Sequence, residues 1–240
     1  MNLDRRQRPR CAALLALVLL ASLVAAQPAP AASVIADDDA VIFKGRIDAA
    51  STAQFLSLLQ TPTITRLVIT SGGGDVAAAL DMAEAIHARQ LDIEVPRACL
   101  SSCANYVFPA GRRKTLGRPD AVGWHGNIAH ALYLQDSGQE HWNESQIASA
   151  RQLAAREVDF FRRIGVDGFI CWFGKLAPDD VEDFYWLSVD DMARFGIRDV
   201  TVGIPAPGVT ANPEVREIHV DANALETARR AVRPSIRPPA

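Results

Sequence analysis

Apolar positions along this chain alternate between short β-prone runs and longer stretches of helical spacing, and their order predicts the fold. Val41 to Phe43 reads as a strand that turns at Lys44 and Gly45. Asp48 to Gln60 then carries Phe55, Leu58 and Leu59 at helical spacing, with Ser51 or Thr52 as its start. Arg66 to Thr70, RLVIT, is a β-branched run of the kind that fills a buried parallel strand. It leads through Ser71-Gly72-Gly73-Gly74-Asp75 into a helix from Val76 to Arg89, with Val76, Leu80, Ala83 and Ile86 or His87 along one face. A second passage from strand to helix follows at Ile93 and Ala104. Repeated βα order of this kind argues for an α/β domain with a mainly parallel sheet and right-handed crossovers.

Beyond that repeat the pattern loosens. Ala121 to His125, AVGWH, is a short apolar run ending in a histidine. Asn143 to Ile164 predicts a long helix with Ile147, Ala150, Ala154, Val158 and Phe161 as its apolar stripe, and nothing about it suggests chemistry. Phe169 to Phe173, FICWF, reads as buried or as a contact surface. Phe184 to Leu187 reads as a strand, and Val189 to Phe195 as a short helix stopped by Gly196. The Pro-, Ala- and Arg-rich end, residues 204–240, reads as a mostly disordered tail.

The N-terminus changes the picture. Arg5, Arg6, Arg8 and Arg10 precede an apolar run from Ala12 to Ala25, with small residues after it, as in an export signal. Residues 1–26 are therefore expected to be a cleaved signal peptide, 27–40 a linker and 41–203 the α/β domain. The expected location is periplasmic or secreted, with no stable membrane insertion; an uncleaved N-terminal anchor is the alternative. Residues 1–26 carry four arginines against one aspartate, so their loss would take the formal net charge from −3 to −6. An acidic domain is poorly suited to phosphate backbones, so nucleic acid is not an expected partner. Three cysteines remain, Cys99, Cys103 and Cys171; in an oxidising compartment the expectation is one disulfide, Cys171 with Cys99 or Cys103.

The candidate chemistry lies in Ile93 to Gly111, IEVPRACLSSCANYVFPAG, where Ser101, Ser102 and two cysteines stand between a strand and a helix. The turn exposes a side chain, and the free N–H groups of the first helical turn favour negative charge beside it. Ser102, Ser101 and Cys103 are all candidate nucleophiles, although a cysteine held in a disulfide cannot attack. The Gly72-Gly73-Gly74 turn lacks both nucleotide-binding spacings, but its backbone N–H groups suit an oxyanion. No cofactor or metal is implied.

In order, these segments resemble the ClpP/crotonase superfamily over roughly residues 41–200, and within it the ClpP-like serine peptidases. VIFKGRID is similar to that family's first strand and turn, LVITSGGGDVAAALDMAEAI to its Gly-rich turn and helix, and LSSCANYVFPAG to its nucleophile segment. AVGWHG is similar to its histidine strand and FYWLSVDDMARFGIRD to its late segment, while Tyr106 resembles the signal-peptide-peptidase-A branch. The resemblance implies a spiral of ββα and βα units. It implies Ser102 as nucleophile, His125 as general base, and the N–H groups of Gly74 and Cys103 as oxyanion hole. It implies Asp183 as the acid if the alignment shifts by one residue, with Asp179 and Asp180 as weaker candidates. The implied function is an exported serine peptidase acting on peptides or unfolded protein, self-assembling through the 143–164 helix. A hydrolase of another ester or amide, and an inactive scaffold on the same fold, are the alternatives; an acyl-CoA enzyme is disfavoured outside the cytoplasm.

Overall fold

The computed structural model describes residues 31–204 and 215–232. The expected signal peptide, residues 1–26, lies outside them, as do parts of the linker and tail. The chain is α/β, built on a six-stranded sheet in the order β1-β2-β3-β4-β6-β9. These strands are β1 (Ser33–Asp37), β2 (Ala40–Lys44), β3 (Arg66–Thr70), β4 (Asp92–Val95), β6 (Lys114–Leu116) and β9 (Val200–Val202). Only β1 runs antiparallel to its neighbour; the other pairings are parallel. β1 falls inside the expected linker. Its hairpin with β2 turns at Asp38, in the left-handed region that aspartate tolerates better than most residues.

Burial in the sheet alternates. Val41, Phe43, Leu67, Ile69, Ile93 and Val95 are buried, whereas Ile42, Val68 and Glu94 on the opposite pleat are only half-buried. The RLVIT strand is thus covered on one face, where a strand covered on both was expected. The covered face joins Phe55 of α1 (Ala49–Leu58) and Leu80 and Ile86 of α2 (Val76–Arg89) in one core. Each such large apolar side chain contributes about 1.5–3 kcal/mol on full burial. α1 starts at an Asp48 cap that accepts from the Ser51 N–H at 2.8 Å, rather than at Ser51 or Thr52.

Short strands form a second layer beyond the end of β3. Ser71 bridges Cys99; β5 (Cys99–Leu100) pairs in parallel with β7 (Val122–Gly123); Trp124 bridges Tyr185; and β8 (Phe184–Trp186) pairs with β10 (Val215–Glu217). Between them lie a π-helical turn, Cys103–Val107, and α3 (Phe108–Ala110). α4 (Ile128–Asp136), α5 (Glu144–Ile164) and α6 (Val189–Arg194) follow β7 and β8 in the chain order. Among the described residues no helix is long and apolar enough to cross a membrane.

FICWF, read as buried or as a contact surface, is buried: its five side chains lie in the core along two 3-10 turns. One expectation needs correcting. Residues 215–232 are ordered, contrary to the expected tail. β10 extends the second layer, and α7 (Ala222–Val232) buries Leu225 and Val232 while Arg229 pairs with Asp167 at 2.6 Å. Leu225, Ala228 and Val232 fall at helical spacing, enough apolar surface to dock a helix despite the surrounding arginines.

Candidate active site

β5 and β7 bring the chemistry together because they are parallel neighbours. Leu100 stands opposite Gly123, and the Ser101 N–H donates to the Gly123 carbonyl at 3.1 Å. The next residues of both strands therefore leave the same end of the ladder, where parallel sheets present their sites. Ser101 turns there with φ +56°, a conformation costing a non-glycine residue roughly 1–2 kcal/mol. The turn is held on both sides. Cys99 and Cys103 are joined by a disulfide with Cα atoms 5.2 Å apart, and the Ser101 carbonyl accepts from Asn105 N–H at 2.8 Å. This corrects the expected pairing: Cys171 is a free, buried thiol. The reason is local geometry, since a tight elbow brings residues four apart within reach of a bridge.

His125 follows Trp124, whose backbone exchanges two 2.9 Å hydrogen bonds with Tyr185. The next residue, Gly126, donates to the Cys171 carbonyl at 2.7 Å and accepts from Asn105 Nδ2 at 2.7 Å. The His125 ring packs on Phe184 at 4.5 Å between centroids, and its Nε2 lies 2.7 Å from the hydroxyl of Ser101. Desolvation of the ring, then the nearby Lys175 ammonium, lowers the imidazole pKa below its ordinary 6.5. At neutral pH it is a neutral imidazole able to accept a proton.

The serine on His125 is thus Ser101, where Ser102 was expected. Ser102 is buried and faces the glycine turn: its Oγ accepts from the Gly74 N–H at 2.8 Å and donates to the Gly74 carbonyl at 3.2 Å. The π turn accounts for the shift. The Phe108 N–H reaches back five residues to the Cys103 carbonyl, so the helix holds one residue more than an α-helix would. The resemblance of LSSCANYVFPAG rests on residue pattern alone and does not register that extra residue.

The same shift bears on the N–H groups expected to face an oxyanion, those of Gly74 and Cys103. Gly74 N–H is occupied by Ser102, and the N–H following the His125-bonded serine belongs to Ser102 instead of Cys103. As a first-turn residue, Ser102 has no helical acceptor one turn back. Gly73, at φ +89°, lies against this group: a Cβ there would come within 2.7 Å of the Leu100 carbonyl oxygen, 2.8 Å of Ser101 Cβ and 2.9 Å of Ser102 N. Only a glycine lets the turn approach so closely.

Asp183 does not complete a triad. It is exposed, and among the described residues its carboxylate makes no hydrogen bond to His125; its carbonyl accepts from Lys175 Nζ at 2.8 Å. Asp179 lies near Arg216 and His219, and Asp180 is exposed at a positive-φ turn. β8 begins only at Phe184, whose ring lies on His125, and Asp183, just ahead of the strand, is exposed. A second imidazole, His130, stacks on Trp172 at 5.3 Å, and burial pushes its pKa down to about 4.

Sequence reasoning passed over Glu157 of α5. It is buried and accepts hydrogen bonds from the Tyr106 hydroxyl, from Ile128 N and Ala129 N at 3.2 Å each, and from Asn127 Nδ2 at 3.3 Å. Burial raises its pKa from 4.5 to about 7 against the pull of these donors. The available signal was its spacing: Glu157 is three residues from Ala154 and four from Phe161, inside the apolar stripe. Beside Ser71 and Gly72, the open face of β1 to β3 carries an apolar cavity of about 760 Å³, with Ile35, Ile42, Val68 and Arg97 in its lining.

No protein-family model and no curated protein matches this chain. Among solved structures, it is similar to the ClpP protease catalytic domain from Plasmodium falciparum at 15% identity and a TM-score of 0.42, covering 72% of this chain and 90% of that one.

Proposed function

We propose that this chain is a serine hydrolase, most simply a peptidase, in which Ser101 is the nucleophile and His125 its general base. The observation that carries this reading is the 2.7 Å contact between Ser101 Oγ and His125 Nε2 at a positive-φ elbow. Ser101 Oγ attacks a carbonyl carbon while its proton passes to His125 Nε2. The tetrahedral oxyanion is met by the Ser102 N–H, and the leaving amine or alcohol departs with the proton from His125. Water then hydrolyses the acyl-enzyme by the reverse proton path. The Ser102 hydroxyl, Gly74 and Cys103, named by the sequence resemblance, thereby become supports of the elbow, and Ser102 keeps only its N–H in the chemistry. The cavity beside Gly72 offers room for apolar side chains of a peptide or unfolded segment. Export to a periplasmic or extracellular setting, and assembly through α5, belong to the same reading.

One observation favours the alternative of an inactive scaffold: no carboxylate among the described residues is hydrogen-bonded to His125, and Lys175 lies nearby. Fluorophosphonate labelling followed by peptide mapping decides between them. The expected adduct is on Ser101, lost in Ser101→Ala and His125→Ala. An adduct on Ser102, or no labelling of the folded protein between pH 5 and 9, would overturn the assignment.

A further inference from the structure

Two consecutive residues of the π turn, Asn105 and Tyr106, reach toward the segment that carries the base. Asn105 Nδ2 holds the Gly126 carbonyl at 2.7 Å, and the Tyr106 hydroxyl donates to Glu157. Glu157 accepts in turn from Ile128 N, Ala129 N and Asn127 Nδ2, so the carboxylate grips the first turn of α4 two to four residues past His125. Four donors converge on it. That is an environment built for a carboxylate, although desolvation opposes the charge. The nucleophile's helix and the base's loop are therefore joined through one buried side chain from a third helix.

We propose that Glu157 is a positioning residue for His125: its ionised carboxylate fixes the Asn127–Ala129 segment and so sets the imidazole against Ser101. This rests on the hydrolase reading for its effect on rate, but the linkage itself concerns only the orientation of His125. Ionisation of Glu157, which burial delays to about pH 7, supplies an acceptor for every surrounding donor. Protonation places a hydrogen among those donors, and the grip on α4 weakens. The titratable groups facing it are Tyr106 and Cys171, both pushed well above their ordinary values by burial and by Glu157 itself, so neither ionises in this range. The acids of α2 that pack toward α5, Asp81 and Glu84, are paired with Arg156 and Arg163.

The test follows the fluorophosphonate labelling rate and the His125 ring resonances from pH 5 to 9, in wild type, Glu157→Gln and Tyr106→Phe. In the wild type the labelling rate is expected to show an upper inflection near pH 7 besides that of His125. Glu157→Gln should lose the upper inflection and label on the order of ten-fold more slowly at pH 8, because small misplacements at a reacting centre are costly. Tyr106→Phe, which removes one donor and keeps the ring, should move the upper inflection and slow labelling by a smaller factor; it carries the test if Glu157→Gln does not fold. Superimposable normalised pH profiles in all three proteins would overturn the proposal. If the wild type does not label at all, the hydrolase reading fails and the resonances decide. A His125 inflection near pH 7 that disappears in Glu157→Gln upholds the linkage, and an unchanged titration overturns it.

Discussion

Gly72 and Gly73 are adjacent, chemically identical and predicted to respond in opposite ways to one methyl group. At Gly73 the added Cβ would meet its neighbours on three sides, at 2.7 to 2.9 Å from Leu100, Ser101 and Ser102, with φ +89°. The left-handed backbone costs about 1–2 kcal/mol for an L side chain, and forcing a methyl against these tightly held atoms about 1–3 kcal/mol more. Gly73→Ala should therefore lose roughly 2–5 kcal/mol, a fall in Tm of about 4–20 °C for a domain of this size. Relief can come only from moving the glycine turn away from Ser101 and Ser102, so the surviving folded protein should also label far more slowly. A methyl added to Gly72 would meet nothing within 4 Å. Gly72→Ala is expected to stay within about 0.5 kcal/mol of wild type, like most surface substitutions. Thermal denaturation and second-order labelling rates, measured on both variants, check the pair. Equal damage from the two substitutions, or a neutral Gly73→Ala, would refute the account of how turn and elbow fit together.

Ser102→Ala removes two hydrogen bonds to Gly74 and should cost about 1–3 kcal/mol, seen as a lower Tm, while labelling persists; Ser101→Ala should do the reverse. Glu157 has a pKa raised from 4.5 to about 7, so the folded chain keeps a proton that the unfolded chain releases. Its contribution is full below pH 4.5 and is lost as pH rises through 7; urea midpoints of Glu157→Gln should fall less over that window than those of wild type. Reduction of the Cys99–Cys103 bridge in the folded protein should slow labelling severalfold, whereas Cys171, buried, should stay unreactive toward thiol reagents until unfolding.

The α/β architecture was legible because Val41, Leu67 and Ile93 each open a β-prone run that gives way to helical spacing, and periodicity is a local property. The α2 helix matches its sequence bounds, Val76 to Arg89, for the same reason. His125 was legible as a histidine closing an apolar run. The partner serine was not, because one extra residue in a π turn leaves no trace in hydrophobic spacing, and Ser101 and Ser102 are alike in composition. Asp183 stays out of the site because β8 begins one residue after it and sets Phe184, not Asp183, against His125. Glu157 was hidden by its charge: a stripe is read from its apolar members, and only the fold shows that four donors converge there. β10 and α7 were obscured because Arg216, Arg229 and Arg230 dominate the composition of that segment, whereas its Leu225 and Val232 are buried.

The bridge between Cys99 and Cys103 joins residues separated by 4 in sequence, whereas Ser101 meets His125 across 24 and Ser71 meets Cys99 across 28. Short-range contacts close with little loss of chain entropy and form early, while long-range ladders wait for the chain between them to be arranged. Once the bridge has formed, the strained turn at Ser101 is held by a covalent ring of short sequence span, and its shape no longer depends on the distant strand that carries His125.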